Sequence, residues 1–449
     1  MNFTLLAPLG VAFLLCGWAS LLRAIEGSWL APGAFFALWW ALAATFPLIV
    51  APEEPVSITA MGWVLAASIA VGLGSIAGAG RPRTPAPTRP LDRVQRRWLW
   101  AAFGVATILG LGSNLTFVTG HGVSPSELFS LQGLLAFATM ATSERYAMEA
   151  PPRLSQALLP FVFLGPMLGG ILFGESRSRS RFQALWGLLP GMLIAVTQTA
   201  KAGTIFAGLL FVAGYCTAQV RWHRYHLLSW RRVGLALAVV LAFTAFMYFV
   251  TLSRGGQLDP ALLEVANLKL RSALVGHMAV FSDWLQGYPQ NTPDPSWGKY
   301  TFAGPAEALG LTTRIGGLFE TTYFLSFGES SNIYTVFRPL IQDFTIPGAL
   351  AFLLLLGLAG GAGYRAVGHG KWWAAPLLLI FYAVTIDSPI TSLLAYNSQI
   401  AATGALAAVL LLTPYLPGRW PSRWLRRKPY QPLVGVNEGF RRGNRGHSA

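Results

Sequence analysis

Apolar runs long enough to cross a lipid bilayer recur from one end of this chain to the other, and they constrain its fold more than any other feature. About 18–20 apolar residues match the hydrocarbon thickness of a bilayer, and inside lipid only helices or closed barrels satisfy every backbone polar group. The runs fall at 4–22, 30–51, 58–79, 98–120, 154–173, 183–199, 202–219, 233–253, 343–363, 372–392 and 396–416. They predict an all-α polytopic membrane protein with about eleven transmembrane helices. Composition agrees, because charged residues make up 11% of the 449, against about 25% in soluble domains. Residues 1–416 read as one helical domain and 417–449 as a basic tail without fixed structure. The first run begins at Leu5 with no Lys or Arg before it, so it is expected to remain a span rather than act as a cleaved signal. Cys16 and Cys216 both sit inside apolar runs, which leaves no disulfide framework and no zinc pattern.

The net charge of +15 is explained by topology and does not call for a nucleic-acid partner. With the Arg-rich tail placed in the cytoplasm, Arg23, the cluster Arg81–Arg97, Arg177–Arg181, Arg221–Arg232, Arg365 and Lys371 all fall on that same side. The acids there are Glu26, Asp92, Glu175 and Glu438. Trp98, Trp222, Trp230, Trp372 and Trp420 stand beside those ends of the runs, where an aromatic belt in contact with membrane lipids belongs. Residues 124–147 open with Ser124-Pro125-Ser126-Glu127, a capping-box pattern, and are predicted to form an interfacial helix on the outer side. A crossing there would reverse every later loop and scatter the basic residues.

Two outer loops are long, 121–153 and 254–342. The second is predicted to be helical after Asp259-Pro260 through Gly287 and irregular over Tyr288–Gly298. The outer side keeps Arg145, Arg153, Lys201, Arg254, Lys269, Arg271, His277, Lys299, Arg314 and Arg338, with Glu307, Glu320, Glu329, Asp343 and Asp387. Its cations run against the positive-inside bias, and anion binding at the outer surface would explain them. Four of them also have an ordinary reading: Arg254 and Lys201 as snorkelling anchors, His277 as a structural histidine and Arg314 as a solvated loop charge. The densest polar stretch is SNIYTVFRPLIQDF, residues 331–344. As a helix it would place Asn332, Val336 and Asp343 on one face and Tyr334 and Arg338 on another, with Pro339 kinking it or starting a new helix. The spans carry almost no ionisable residues, Asp387 being the exception, which weighs against a proton-driven transporter. No nucleotide motif, metal-ligand spacing or nucleophile elbow is present, so no cofactor is expected and any reaction must use an already activated substrate.

Three segments carry a family resemblance. SNIYTVFRPLIQDFTIPG (331–348) resembles the N-x-Y-T…D-F-G signature of Wzy-type oligosaccharide repeat-unit polymerases, with Thr345 where the family usually has Gly. HMAVFSDWLQGYPQNTPDPSWGKYTFAGPAEALGL (277–311) resembles their aromatic helix followed by a W-G-x-Y-T-F segment. QTAKAGTIFAGLLFVAGY (198–215) resembles their basic turn between two spans. The resemblance covers about 175–365. It implies a GT-C-like glycosyltransferase bundle in the bacterial inner membrane, with the active site facing the periplasm and the C-terminus in the cytoplasm. It implies undecaprenyl-pyrophosphate-linked glycans as substrates and a chain-length-determining co-polymerase as partner. On this reading Arg254, Arg271, Arg314, Arg338, Lys201 and Arg145 bind diphosphates. His277, Glu320 or Asp343 acts as the general base, and Asn332 and Tyr334 orient sugar hydroxyls. Two alternatives stand beside it. One is an O-antigen ligase-like transferase, in which Ser331 replaces the family's His while Asn332 keeps its Asn. The other is a lipid-linked oligosaccharide flippase or transporter.

Overall fold

The computed structural model describes residues 3–80, 91–146, 151–176, 179–198, 200–222, 244–252, 261–288, 294–313, 319 and 321–413. Its helices are α1 (Phe3–Glu26), α2 (Pro32–Val50), α3 (Ile58–Ala79), α4 (Arg93–Gly120), α5 (Leu131–Tyr146), α6 (Arg153–Glu175) and α7 (Leu189–Thr197). They continue with α8 (Lys201–Arg221), α9 (Ala261–Gly287), α10 (Ala303–Ala308), α11 (Phe337–Gly368), α12 (Ala375–Asp387) and α13 (Asn397–Leu412). Among the described residues α1, α2, α3, α4, α6, α8 and α11 are long and apolar enough to cross a membrane, which makes this an all-α bundle of membrane type. Three predicted spans are shorter than expected. Residues 183–199 divide into a 3₁₀ segment, Arg179–Leu188, and the nine-residue α7, which has Pro190 in its first turn. The apolar helices Trp372–Asp387 and Asn397–Leu412 are also short. The predicted span 233–253 lies mostly outside the described residues, with 244–252 helical. α5 has 16 residues, too few to span, after a 3₁₀ turn, Glu127–Phe129. Here Glu127 accepts from the Ser124 N–H at 3.2 Å, as the capping pattern anticipates. One departure from all-α is a hairpin, β1 (Tyr323–Phe324) against β2 (Ser330–Ser331), antiparallel with Tyr323 opposite Ser331.

Small residues decide which helices meet. Gly74 and Gly78 of α3 face Gly357 and Gly361 of α11. A Cβ at Gly74 would lie 2.0 Å from the Leu354 carbonyl oxygen, and one at Gly357 would lie 2.2 Å from that of Val71. This is backbone-to-backbone packing of the small-xxx-small kind, which gains van der Waals contact where lipid supplies no hydrophobic drive. The contacts advance in step, Val71 with Gly357 and Ser75 with Gly361, so α3 and α11 run parallel. α1 runs parallel to α3, since the Trp18 indole donates to the Ser68 carbonyl and Ser75 donates to Glu26. α6 is antiparallel to α4, with Gly120 against Pro152 and Gly112 against Leu158, and α8 follows α6.

These directions sort the loops into two ends. At one end the buried Arg221–Glu175 pair (2.9 Å) lies under Trp372, 4.5 Å from the guanidinium, and Arg365 reaches Gly80. That end carries the described helix ends Ala79, Glu175, Arg221 and Gly368, which flank segments read from sequence as cytoplasmic. At the other end Ser282 accepts from the Ser57 N–H (2.8 Å), and Ser326 bonds Glu54. Here α9 lies across α2 and α3 and closes around Phe337, which stacks on Trp40 (4.5 Å) and meets Phe281 and Trp63 at 5.6 and 6.0 Å.

Candidate active site

The polar stretch 331–344 is not one helix. Asn332–Tyr334 are irregular, Thr335 takes φ 63°, and α11 begins at Phe337, so Pro339 falls in a first turn that tolerates it. The Thr335 hydroxyl accepts from the Phe337 N–H (3.2 Å), and the Val336 N–H donates to Ser388 (2.7 Å). The break in α11 comes at Thr345, φ 64° and ψ 174°, a region held almost only by Gly. Among the described residues three non-glycines have positive φ: Trp297, Thr335 and Thr345. All three adjoin the short helix from Phe337 to Phe344. Backbone strain concentrated in this way commonly marks functional sites.

Arg338 is at the centre. Its side chain is buried, with the residue 6% exposed. The guanidinium carbon stands 3.9 Å from the ring centroids of both Phe319 and Tyr334 and 5.5 Å from that of Trp284. Its Nη1 donates to Thr321 Oγ1 (3.0 Å) and its Nε to Gln342 (3.3 Å). Among the described residues no carboxylate lies within ion-pair distance of it. Aromatic faces offset part of the cost of burying a cation, about 0.5–2 kcal/mol each, but they do not neutralise it. Tyr334 and Arg338 therefore meet as their spacing suggested, though through the Thr335 turn and not along a helix face. The Tyr334 hydroxyl donates to the Thr321 carbonyl (3.1 Å), so this residue forms a wall of the cage rather than offering a free hydroxyl.

Asp343 and His277 do not have the geometry of bases. The buried Asp343 carboxylate accepts from Ser296 Oγ (2.5 Å) and from the N–H groups of Thr301 (2.6 Å) and Tyr300 (3.2 Å). It pins the W-G-x-Y-T-F loop onto α11 with its lone pairs committed. The buried His277 points its Nε2 at the Ala43 carbonyl of α2 (3.1 Å), and burial lowers its pKa to about 4. Its ordinary reading, a structural histidine, fits this position. Arg271, read from the sequence as a diphosphate ligand, makes an ion pair with Glu53 and lies over Phe327 (4.5 Å). Asn332 is half-buried beside β2, and Lys201 is the first residue of α8 at the tight turn after α7. Of Arg145 only its place in α5 is described, and Arg254, Arg314 and Glu320 lie outside the described residues.

Glu54 went unnoticed in the sequence. It is buried, and its Oε1 accepts from the Ser326 N–H (2.8 Å) and hydroxyl, while Oε2 has no partner among the described residues. Burial, with Asp283 and Glu54 nearby, raises the pKa of Tyr323 on the same hairpin. The signal available was Pro52-Glu53-Glu54-Pro55, two adjacent acids in a short outer turn. The cage could not be read locally, because Trp284, Phe319 and Tyr334 come from three separate segments. Among the described residues no group of three His, Cys, Asp or Glu side chains is placed to hold a metal. Comparison with protein-family models, with curated proteins and with solved structures finds no match.

Proposed function

We propose that this chain polymerises lipid-diphosphate-linked oligosaccharide repeat units on the outer face of a bacterial inner membrane. The observation that carries this reading is the caged Arg338, a buried cation facing aromatic walls with no carboxylate partner among the described residues, at the end of the bundle away from the basic loops. An anionic leaving group would supply the missing charge, and aromatic faces suit sugar rings. A hydroxyl of the incoming repeat unit attacks the anomeric carbon of the growing chain. The bond from that carbon to the lipid diphosphate breaks, and the diphosphate departs with the electron pair. Arg338 stabilises the charge that develops on it. We assign the proton of the attacking hydroxyl to the Glu54 carboxylate, whose Oε2 has no partner among the described residues. The activated diphosphate drives the reaction. Eleven crossings, with 233–253 as one of them and the tail in the cytoplasm, complete this arrangement.

Arg338→Ala in cells separates the competing readings. Loss of a polymerase leaves the final acceptor capped with a single repeat unit. Loss of a ligase leaves long chains on the carrier lipid, and loss of a flippase leaves single units on the carrier at the cytoplasmic face. The expected result is single-unit capping with normal protein in the membrane. Long glycan in normal amount would refute the proposal.

One observation favours a transporter as the second reading. Asp387 and Gln399 are buried, and among the described residues neither the Asp387 carboxylate oxygens nor the Gln399 side-chain amide has a hydrogen-bond partner. Asp387→Asn would abolish transport, yet leave polymerisation of externally supplied units intact.

A further inference from the structure

The 3₁₀ segment Arg179–Leu188 runs for 10 residues, where such segments seldom exceed about three or four. Small residues hold it against α6. A Cβ at Gly169 would stand 2.6 Å from the Ala184 carbonyl oxygen, and one at Gly187 would stand 2.8 Å from that of Gly165. A 3₁₀ helix repeats every third residue, so Arg181, Ala184 and Gly187 fall in one row. Ala184 and Gly187 are buried, and this row therefore faces α6. Arg181 stands at the end of the row nearest the Arg221–Glu175 pair, where α6 finishes at Glu175.

Arg181 is an exposed cation propped on aromatic faces. Its guanidinium carbon lies 4.9 Å from the ring centroid of Phe182 and 5.6 Å from that of Phe173 in α6. Among the described residues no carboxylate stands within ion-pair distance of it. Glu175, the acid at that helix end, is held by Arg221 (2.9 Å) and also feels the charge of Arg96 in the first turn of α4. Asp92, one turn before Arg96, caps α4 by accepting from the Gln95 N–H (2.7 Å). Arg96, Arg181 and Arg221 thus gather about the last turn of α6, with Glu175 the acid between them.

Away from this cation the surface of the segment is apolar. Phe182, Leu185 and Trp186 are 52%, 40% and 63% exposed. At the rise of a 3₁₀ helix, Trp186 lies about 10 Å from Arg181 along the axis. The segment runs back beside α6, a helix long and apolar enough to cross a membrane, so its apolar strip borders the bilayer. A cation at the membrane surface with an apolar strip leading inward matches a headgroup and its chain. A soluble anion would use only the cation, and an uncharged amphiphile only the strip.

We infer that this strip binds an anionic phospholipid of the adjoining leaflet, with the lipid phosphate on Arg181 and an acyl chain along Phe182, Leu185 and Trp186. An anionic headgroup answers the excess positive charge at the last turn of α6. A choline or ethanolamine headgroup would bring its own cation against Arg96 and Arg181. The bound lipid would press the 3₁₀ segment onto α6. The inference needs only that the bundle crosses a bilayer, and it is independent of the reaction proposed above.

The test places photoreactive benzoylphenylalanine in place of Leu185 in the full-length protein, in nanodiscs of equimolar phosphatidylglycerol and phosphatidylcholine. Illumination captures the neighbouring lipid, and mass spectrometry reads its headgroup. Phosphatidylglycerol is expected in several-fold excess. The same probe in place of Leu115, exposed near the other end of α4, should capture the two lipids in their bulk ratio. Arg181→Gln should bring the ratio at position 185 down to bulk while the protein elutes like wild type on size exclusion. Arg181→Lys should keep an intermediate preference, since it retains the charge but not the planar stacking on the two rings. Excess inorganic phosphate at constant ionic strength should leave the ratio unchanged. A bulk ratio at position 185, an equal excess at position 115, or an undiminished excess in Arg181→Gln would overturn the inference. Loss of the excess to inorganic phosphate would mark a site for a soluble anion and would overturn it too.

Discussion

Thr345 holds a conformation that a β-branched residue pays for, φ 64° with ψ 174°. It keeps that conformation because Asp343 is clamped on one side and Phe344 stacks on Phe352 on the other. Thr345→Gly is expected to raise stability by about 1–3 kcal/mol, read as a higher melting temperature in detergent. A lower one would mean that the kink is not strained. The family-like signature has Gly at this position, so a hint of the break was legible in the sequence. Its place at Thr345, not Pro339, was not. His277 gives a second residue-scale test. Its pKa in the folded protein is about 4, below the ordinary 6.5. The unfolded chain therefore binds more protons between those values, and stability falls as pH drops through that window. The contribution is complete above about pH 6.5. His277→Gln should flatten this dependence, and an unchanged slope would assign it to other groups. That His277 is structural could not be seen from its own helix, because the carbonyl it meets lies 234 residues away at Ala43.

At the scale of elements, the contact of α3 with α11 depends on four glycines. Gly74→Ala would drive a methyl into the Leu354 carbonyl 2.0 Å away, whereas Gly104→Ala on α4 meets nothing within 4 Å. Gly74→Ala should cause clear loss of folded protein by size-exclusion fluorescence, and Gly104→Ala should be neutral or slightly stabilising, since Ala is the better helix former. Equal behaviour of the two would contradict the packing. The long helices were legible because period and length are local properties. α7 was read too long because apolar composition does not distinguish a 3₁₀ segment from an α-helix. The hairpin went unforeseen because two residues per strand carry no period. The helical part of the outer loop matched α9, since Ala261–Gly287 keeps a continuous apolar face.

For the whole molecule, the parallel and antiparallel helix contacts bring Arg221, Glu175 and Arg365 to one end, and Arg338, Asp343 and Glu54 to the other. That separation was legible from charge alone. The aromatic cage was not, because it assembles residues from Trp284 to Arg338 through the tertiary fold. On the proposed function, caged Arg338 carries the charge of a departing lipid diphosphate in glycan polymerisation. The most direct measurement supplies purified protein in vesicles with one synthetic undecaprenyl-diphosphate-linked repeat unit and resolves the products by length. Wild-type protein should yield a ladder. Arg338→Lys should be much weaker, because a point charge cannot replace the planar fork, and Arg338→Ala should be slower by about 10²-fold or more while remaining folded. A full ladder from Arg338→Ala, or none from wild-type protein, would contradict it.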